Sequence, residues 1–123
     1  MLQLVFCVNR RDDIDEAEFH RYWRDEHGPL VRSLQEALGV VRYVQAHRIE
    51  TPLNDLLRQS RDTREPYDGV AQLWWESHEH FVTCLATPES QAAAATLLED
   101  ERRFIDLESC AIFLAEDSVI IPG

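Results

Sequence analysis

The sequence predicts an α+β fold, a four-stranded antiparallel sheet with helices on one face. Three observations carry the prediction. Four apolar runs of strand length recur along the 123 residues. Helical patterns separate the first run from the second and the third from the fourth, with only an irregular stretch between the middle two. Both helical regions carry explicit start signals.

The first run, residues 2–9, reads as a strand, and 10–13 (Arg-Arg-Asp-Asp) as a polar turn. Asp15 then suits a helix N-cap, with Glu18 placed to close a capping box. Ile14 and Phe19 occupy the two hydrophobic-staple positions. Phe19, Trp23 and His27 lie four apart and share one face. Gly28-Pro29 must bend or restart the helix, because Pro29 has no N–H and its ring crowds the carbonyl four residues back. Leu30, Val31, Leu34 and Leu38 continue an apolar stripe, and Gly39 suits a left-handed C-terminal cap.

Residues 40–49 read as the second strand. One face carries Val41, Tyr43, Gln45, His47 and Ile49, and the other Arg42, Val44, Ala46 and Arg48. In the 50–68 stretch, a short helical turn is expected at 54–57 and a mobile polar surface loop over 59–66. Residues 69–76 form the third strand. Ser77 is an N-cap for a helix reaching Ala86. Thr87-Pro88 restarts a helix toward Phe104, with Pro88 at the favoured first position. The alanines at 92–95 are expected to pack a helix closely on the sheet. Residues 110–120 make the fourth strand.

The order β-α-β-β-α-β is the ferredoxin-like split arrangement, in one domain over 1–123. One sheet face stays without helices. If it carries Val41, Tyr43, Trp74 or Trp75, and Phe113, it needs cover, and a second copy packed face to face is the simplest. A homodimer is therefore expected.

Composition narrows the function. The net charge of −11 comes from 23 acidic residues and 12 basic ones. It argues against nucleic-acid partners and anionic membranes. Every basic residue is Arg, so lysine Schiff-base and P-loop lysine chemistry are excluded. No apolar run is long enough to cross a membrane, and no basic segment precedes the first strand, so the cytoplasm is expected. Cys7, Cys84 and Cys110 are scattered, without a CxxC, and read as small packing residues, with a nucleophile or a redox pair as the alternative. No glycine-rich phosphate loop or Gly-x-Ser-x-Gly elbow is present, and no cofactor is expected. His78 and His80 are two apart on a helix start and face different directions, so no metal site is expected.

Residues 19–30, Phe-His-Arg-Tyr-Trp-Arg-Asp-Glu-His-Gly-Pro-Leu, resemble the signature of EthD-like proteins, Phe-x-x-Tyr-Trp-x-x-x-His-x-Pro-Leu after a first strand. Residues 68–76, Asp-Gly-Val-Ala-Gln-Leu-Trp-Trp-Glu, resemble that family's third strand. The resemblance implies a dimeric α+β barrel with a small pocket in each subunit. It also implies kinship with cofactor-independent monooxygenases, isomerases and dehydratase-like proteins.

Among the site residues, His27 matches the motif. It either anchors the bend by hydrogen bonding or exchanges a proton near pH 7. His47 and Tyr43 are a base and a phenol donor, with Gln45 beside them, if their strand face lines the pocket. If it lines a dimer interface, they are packing. Tyr22 is placed for the pocket rim, and Trp74 for an aromatic wall, unless either tryptophan fills the core. Asp68 either orients a histidine or makes a turn. These residues suit a small cofactor-free enzyme moving protons on an aromatic, quinone or polyketide-like molecule, by dehydration, isomerisation or oxidation. An accessory binding protein beside an oxidoreductase, using the same pocket without turnover, is the alternative. A dimer with no pocket at all is a third.

Overall fold

A computed structural model describes residues 1–123. Its strands are β1 (Leu2–Val8), β2 (Arg42–His47), β3 (Gly69–Trp75) and β4 (Ala111–Glu116), all antiparallel, in the order β2-β3-β1-β4. This is the ferredoxin-like α+β arrangement the sequence predicts. The helices are α1 (Glu16–Tyr22), α2 (Gly28–Ser33), α3 (Gln35–Leu38), α4 (Leu53–Arg61), α5 (His78–Leu85) and α6 (Pro88–Glu101).

Most helix ends follow their local signals. The Asp15 carboxylate accepts from the Glu18 N–H at 2.8 Å, Ser77 from the His80 N–H and Thr87 from the Ser90 N–H. Gly39 takes the left-handed conformation, at φ 75°. The capping box closes only halfway, because the Glu18 carboxylate turns to Arg21 instead.

The Gly28-Pro29 bend is resolved as a π turn. Residues Trp23–His27 wind wider than an α-helix, and the Gly28 N–H reaches back to the Trp23 carbonyl. The extra residue in the turn precedes the ring of Pro29, and α2 starts directly after it. Phe19, Trp23 and His27 all stay on the buried side.

Three expectations need correction. The 59–66 stretch is not wholly loop: α4 runs nine residues and stops where Asp62 turns left-handed. Asn and Asp tolerate that conformation better than most residues, so Asp62 does what glycine did at 39. The second and fourth strands are shorter than expected, and α6 ends at Glu101. Tyr43 lies on the helix-covered side of the sheet, not on the open one.

Register fixes the two faces. Tyr43, Gln45 and His47 are opposite Leu73, Ala71 and Gly69, which in turn sit opposite Leu4, Phe6 and Val8. All of these face the helices. Gly69 meets Trp23, and a Cβ there would lie 2.5 Å from the indole. Two clusters form the core, one around Phe19, Trp23 and Phe104, the other around Val31, Trp75 and Leu97. Tyr43 and Leu73 touch both. The open face presents Val5, Val44, Val70, Trp74 and Phe113, the last 52% exposed. No helix is long and apolar enough to cross a membrane.

Candidate functional site

Helix α6 carries a stripe, Ser90, Ala94, Leu97 and Glu101, spaced four, three and four residues apart and therefore on one side. That stripe, α5 and the helix side of β1, β3 and β4 enclose a cleft of about 220 Å³. Eleven of its thirteen lining residues are apolar; Ser90 and Glu101 are the polar pair. Leu4, Phe6, Leu73 and Trp75 form its sheet wall. Leu85 and Ile112, 50% and 60% exposed, stand at its rim. A larger hollow of about 820 Å³ beside α4 has no apolar wall and mixes arginines with carboxylates. An apolar cleft with few polar groups is the better seat for an organic ligand.

Burial first, and the neighbouring Asp100 charge second, push the Glu101 carboxyl up to about 7. Its proton is therefore exchangeable near neutral pH. Behind it lies a hydrogen-bonded triad. The Asp100 carboxylate accepts from the Tyr22 hydroxyl at 2.6 Å and from His27 Nδ1 at 2.7 Å. With its proton on Nδ1, a neutral His27 keeps a bare Nε2, which lies 4.0 Å from Glu101 Oε2. Burial lowers the His27 pKa against the opposing pull of Asp100, so the neutral ring is the resting form. Phe104 packs against this ring at 5.1 Å between centroids.

A second chain of hydrogen bonds runs along β2, and its protons can be assigned from geometry. Gln45 Nε2 lies 2.8 Å from the Trp23 carbonyl, which can only accept. The amide is thereby oriented, and its oxygen must face His47 Nε2 at 2.8 Å. His47 therefore carries its proton on Nε2 and offers a lone pair at Nδ1. His20 Nδ1, 2.7 Å away, must then be the donor. Burial, then the neighbouring His20, pushes His47 down to about 4, and burial lowers His20 as well. Gln45 Nε2 also donates to the Tyr43 hydroxyl oxygen at 2.8 Å. Burial raises the Tyr43 phenol to about 12.

The sequence-predicted residues therefore divide. His27 and Tyr22 meet at Asp100, directly behind the cleft. Tyr43, Gln45 and His47 form one chain, tied to the π turn through the Trp23 carbonyl, and none lines the cleft. Trp74 is corrected: it lies on the open face, under the Arg42 guanidinium and bonded to Asp117, while Trp75 lines the cleft. Asp68 lines the larger hollow beside α4 rather than this cleft. It is buried where it accepts from the Arg10 N–H and from Arg48, joining strand ends away from the cleft.

Sequence reasoning missed Glu101, Asp100, Ser90 and His20. One signal pointed to the acids. Glu99, Asp100 and Glu101 crowd the C-terminus of α6, where the helix dipole disfavours negative charge. Such a breach of a local rule marks a position held for another reason.

Comparison with known proteins agrees with the motif and the fold. The EthD domain model matches residues 11–108. A conidial pigment biosynthesis dehydratase EthD from Metarhizium robertsii is 28% identical over 110 residues, covering 86% of this chain and 75% of that protein. An EthD family protein from Bacillus halodurans superposes with a TM-score of 0.63 at 15% identity, covering 96% of this chain and 99% of its own. SnoaB, a cofactor-independent oxygenase from Streptomyces nogalater, superposes at 0.55 with 18% identity, covering 99% and 97%. With most of its length matched by the family model, the chain belongs to the EthD domain family.

Proposed function

We propose that this protein is a small cofactor-independent enzyme that moves protons on a flat aromatic or polyketide-like molecule held in the α5–α6 cleft, and that the reaction is a dehydration. The observation that carries the reading is Glu101, a carboxyl poised near pH 7 at the polar end of an apolar cleft. The dehydratase name of the Metarhizium relative favours elimination of water.

In a β-hydroxy ketone, the ionised Glu101 takes the proton beside the carbonyl. The resulting carboxylic acid then gives a proton to the departing hydroxyl, which leaves as water. The carboxylic acid itself carries the proton between these steps, with the bare His27 Nε2 facing it from 4.0 Å behind. Asp100 and Tyr22 keep the imidazole in the tautomer that leaves Nε2 free. Tyr43, Gln45, His47 and His20 act at one remove, by fixing the carbonyl around which the π turn winds. Ser90 offers a hydroxyl at the other end of the stripe for a ligand oxygen.

The test substrate is 3-hydroxy-1-tetralone, which becomes 1-naphthol on losing water. Glu101→Gln is expected to bind 1-naphthol like the unmodified protein and to lose turnover at least a hundredfold. Undiminished turnover would overturn the role of Glu101. Binding without turnover in the unmodified protein would favour the accessory reading.

We further propose that a second copy covers the open sheet face, forming a dimeric α+β barrel. Val5, Val44, Val70 and Phe113 give that face its apolar side chains, around a central Gln72–Gln3 hydrogen bond. Sedimentation should give a dimer, and Val70→Arg a monomer. A monomeric unmodified protein at micromolar concentration would end this proposal.

A further inference from the structure

The same cleft holds a second reactive side chain. Cys84, on α5, lines it beside Trp75 and Phe81. One turn earlier on the same helix, His80 directs Nε2 at the Cys84 sulfur, 3.6 Å away. Both side chains are seated against Gly39. A Cβ at that position would stand 2.4 Å from the sulfur and 3.4 Å from His80 Nε2, so glycine leaves the space that the pair fills. His80 is solvent-exposed and can pass a proton to water.

The other two thiols differ. Cys110 is engaged on both sides, accepting from the Asn9 N–H and donating to the Asp106 carbonyl, and burial raises its pKa. Cys7 points to the open sheet face. Cys84 alone combines a base within reach with a place on an apolar cleft wall.

The geometry points to Cys84 as a nucleophile, with His80 as its base, that captures flat electrophiles of the quinone or enone class entering the cleft. As the sulfur bonds to a ring carbon of a quinone, the thiol proton passes to His80 Nε2. The electron pair of the ring double bond moves onto the conjugated carbonyl oxygen. His80 returns the proton to that oxygen through water. The remaining ring proton then shifts to the second oxygen, leaving a hydroquinone thioether. The quinone is reduced by the addition itself, so no further reductant is needed.

This inference rests on the cleft accepting flat apolar molecules, as proposed above, and the two can fail separately. The experiment treats the full protein with 1,4-naphthoquinone and follows intact mass and peptide maps. One adduct is expected, on Cys84, at a rate that saturates with quinone and is suppressed by 1-naphthol. His80→Gln should slow it at least tenfold, and Cys84→Ser should abolish it with the melting temperature retained. Comparable labelling of Cys7 or Cys110, a rate that never saturates, or an unchanged rate in His80→Gln would overturn it. If 1-naphthol binds and no adduct forms, only this inference falls. If 1-naphthol does not bind, the cleft reading falls with it.

Discussion

Replacing Glu101 with glutamine should change stability in a pH-dependent way whose size follows from its site. Glu101 goes from an ordinary value near 4.5 in the unfolded chain to about 7 in the fold. A raised carboxyl pKa adds stability that is fully present below about pH 4.5. It fades as pH rises through the interval and is gone above about 7. Each unit of difference is worth about 1.36 kcal/mol, so the whole swing is about 3 kcal/mol. Glutamine has the same shape and never ionises, so its contribution is flat. Glu101→Gln should match the unmodified protein near pH 4.5 and exceed it by about 3 kcal/mol near pH 8.5. For a chain of this length that is roughly 10 °C in melting temperature. Paired urea or thermal unfolding curves from pH 4.5 to 8.5 measure the difference, and titrating groups that do not interact with Glu101 cancel between the two proteins. A difference that does not grow with pH would show that Glu101 is not held protonated by its surroundings. The elimination mechanism would then lose its acid.

Three further outcomes follow from the packing. Asp100→Ala removes the acceptor for both His27 and Tyr22, and urea unfolding should show a loss of about 3 kcal/mol; a loss under about 1 kcal/mol would mean both donors find water. Gly69→Ala pushes a methyl group to 2.5 Å from the Trp23 ring and 2.6 Å from the Ala46 carbonyl, and should cost about 2–3 kcal/mol by the same assay; an unchanged midpoint would mean this contact relaxes freely. Long-range ¹⁵N spectra at pH 7 should find His47 protonated at Nε2 and His20 at Nδ1; a proton on His47 Nδ1 would reverse the hydrogen-bond chain drawn for β2.

Much of the fold was legible because its signals are local. Asp15, Ser77, Thr87-Pro88 and Gly39 each act on backbone groups within four residues, and each does so where the sequence places it. The end of α4 escaped notice because Asp62 supplies the left-handed turn that glycine usually signals. The site was legible in part. The spacing of Phe19, Trp23 and His27 put the histidine on the buried side, but its partner is seventy-three positions away on α6. Glu101 becomes unusual only when α6 lies over the sheet and removes its water, a fact of tertiary contact that no local pattern carries. Trp74 and Trp75 show the limit most simply. Alternation says that one faces the helices, and only the strand register says which.

The π turn at Trp23–His27 also bears on how this chain tolerates change in length. A π turn is an α-helix that has absorbed one additional residue. Deleting Arg24 would let the ladder close as ordinary α-helix and would spare the core aromatics before it. Gly28 and everything after it would keep their phase, because the Gly28 N–H would still meet the Trp23 carbonyl, now four residues back instead of five. His27, one position before Gly28, would shift only slightly and stay near Asp100, while the exposed Asp25 and Glu26 would take up most of the change. A one-residue deletion here should therefore leave a folded protein that keeps its imidazole beside the carboxylates, whereas the same deletion inside α6 would part them. Among relatives, the stretch between the tyrosine-tryptophan pair and the proline should vary by one residue at most, the one that the wider turn absorbs.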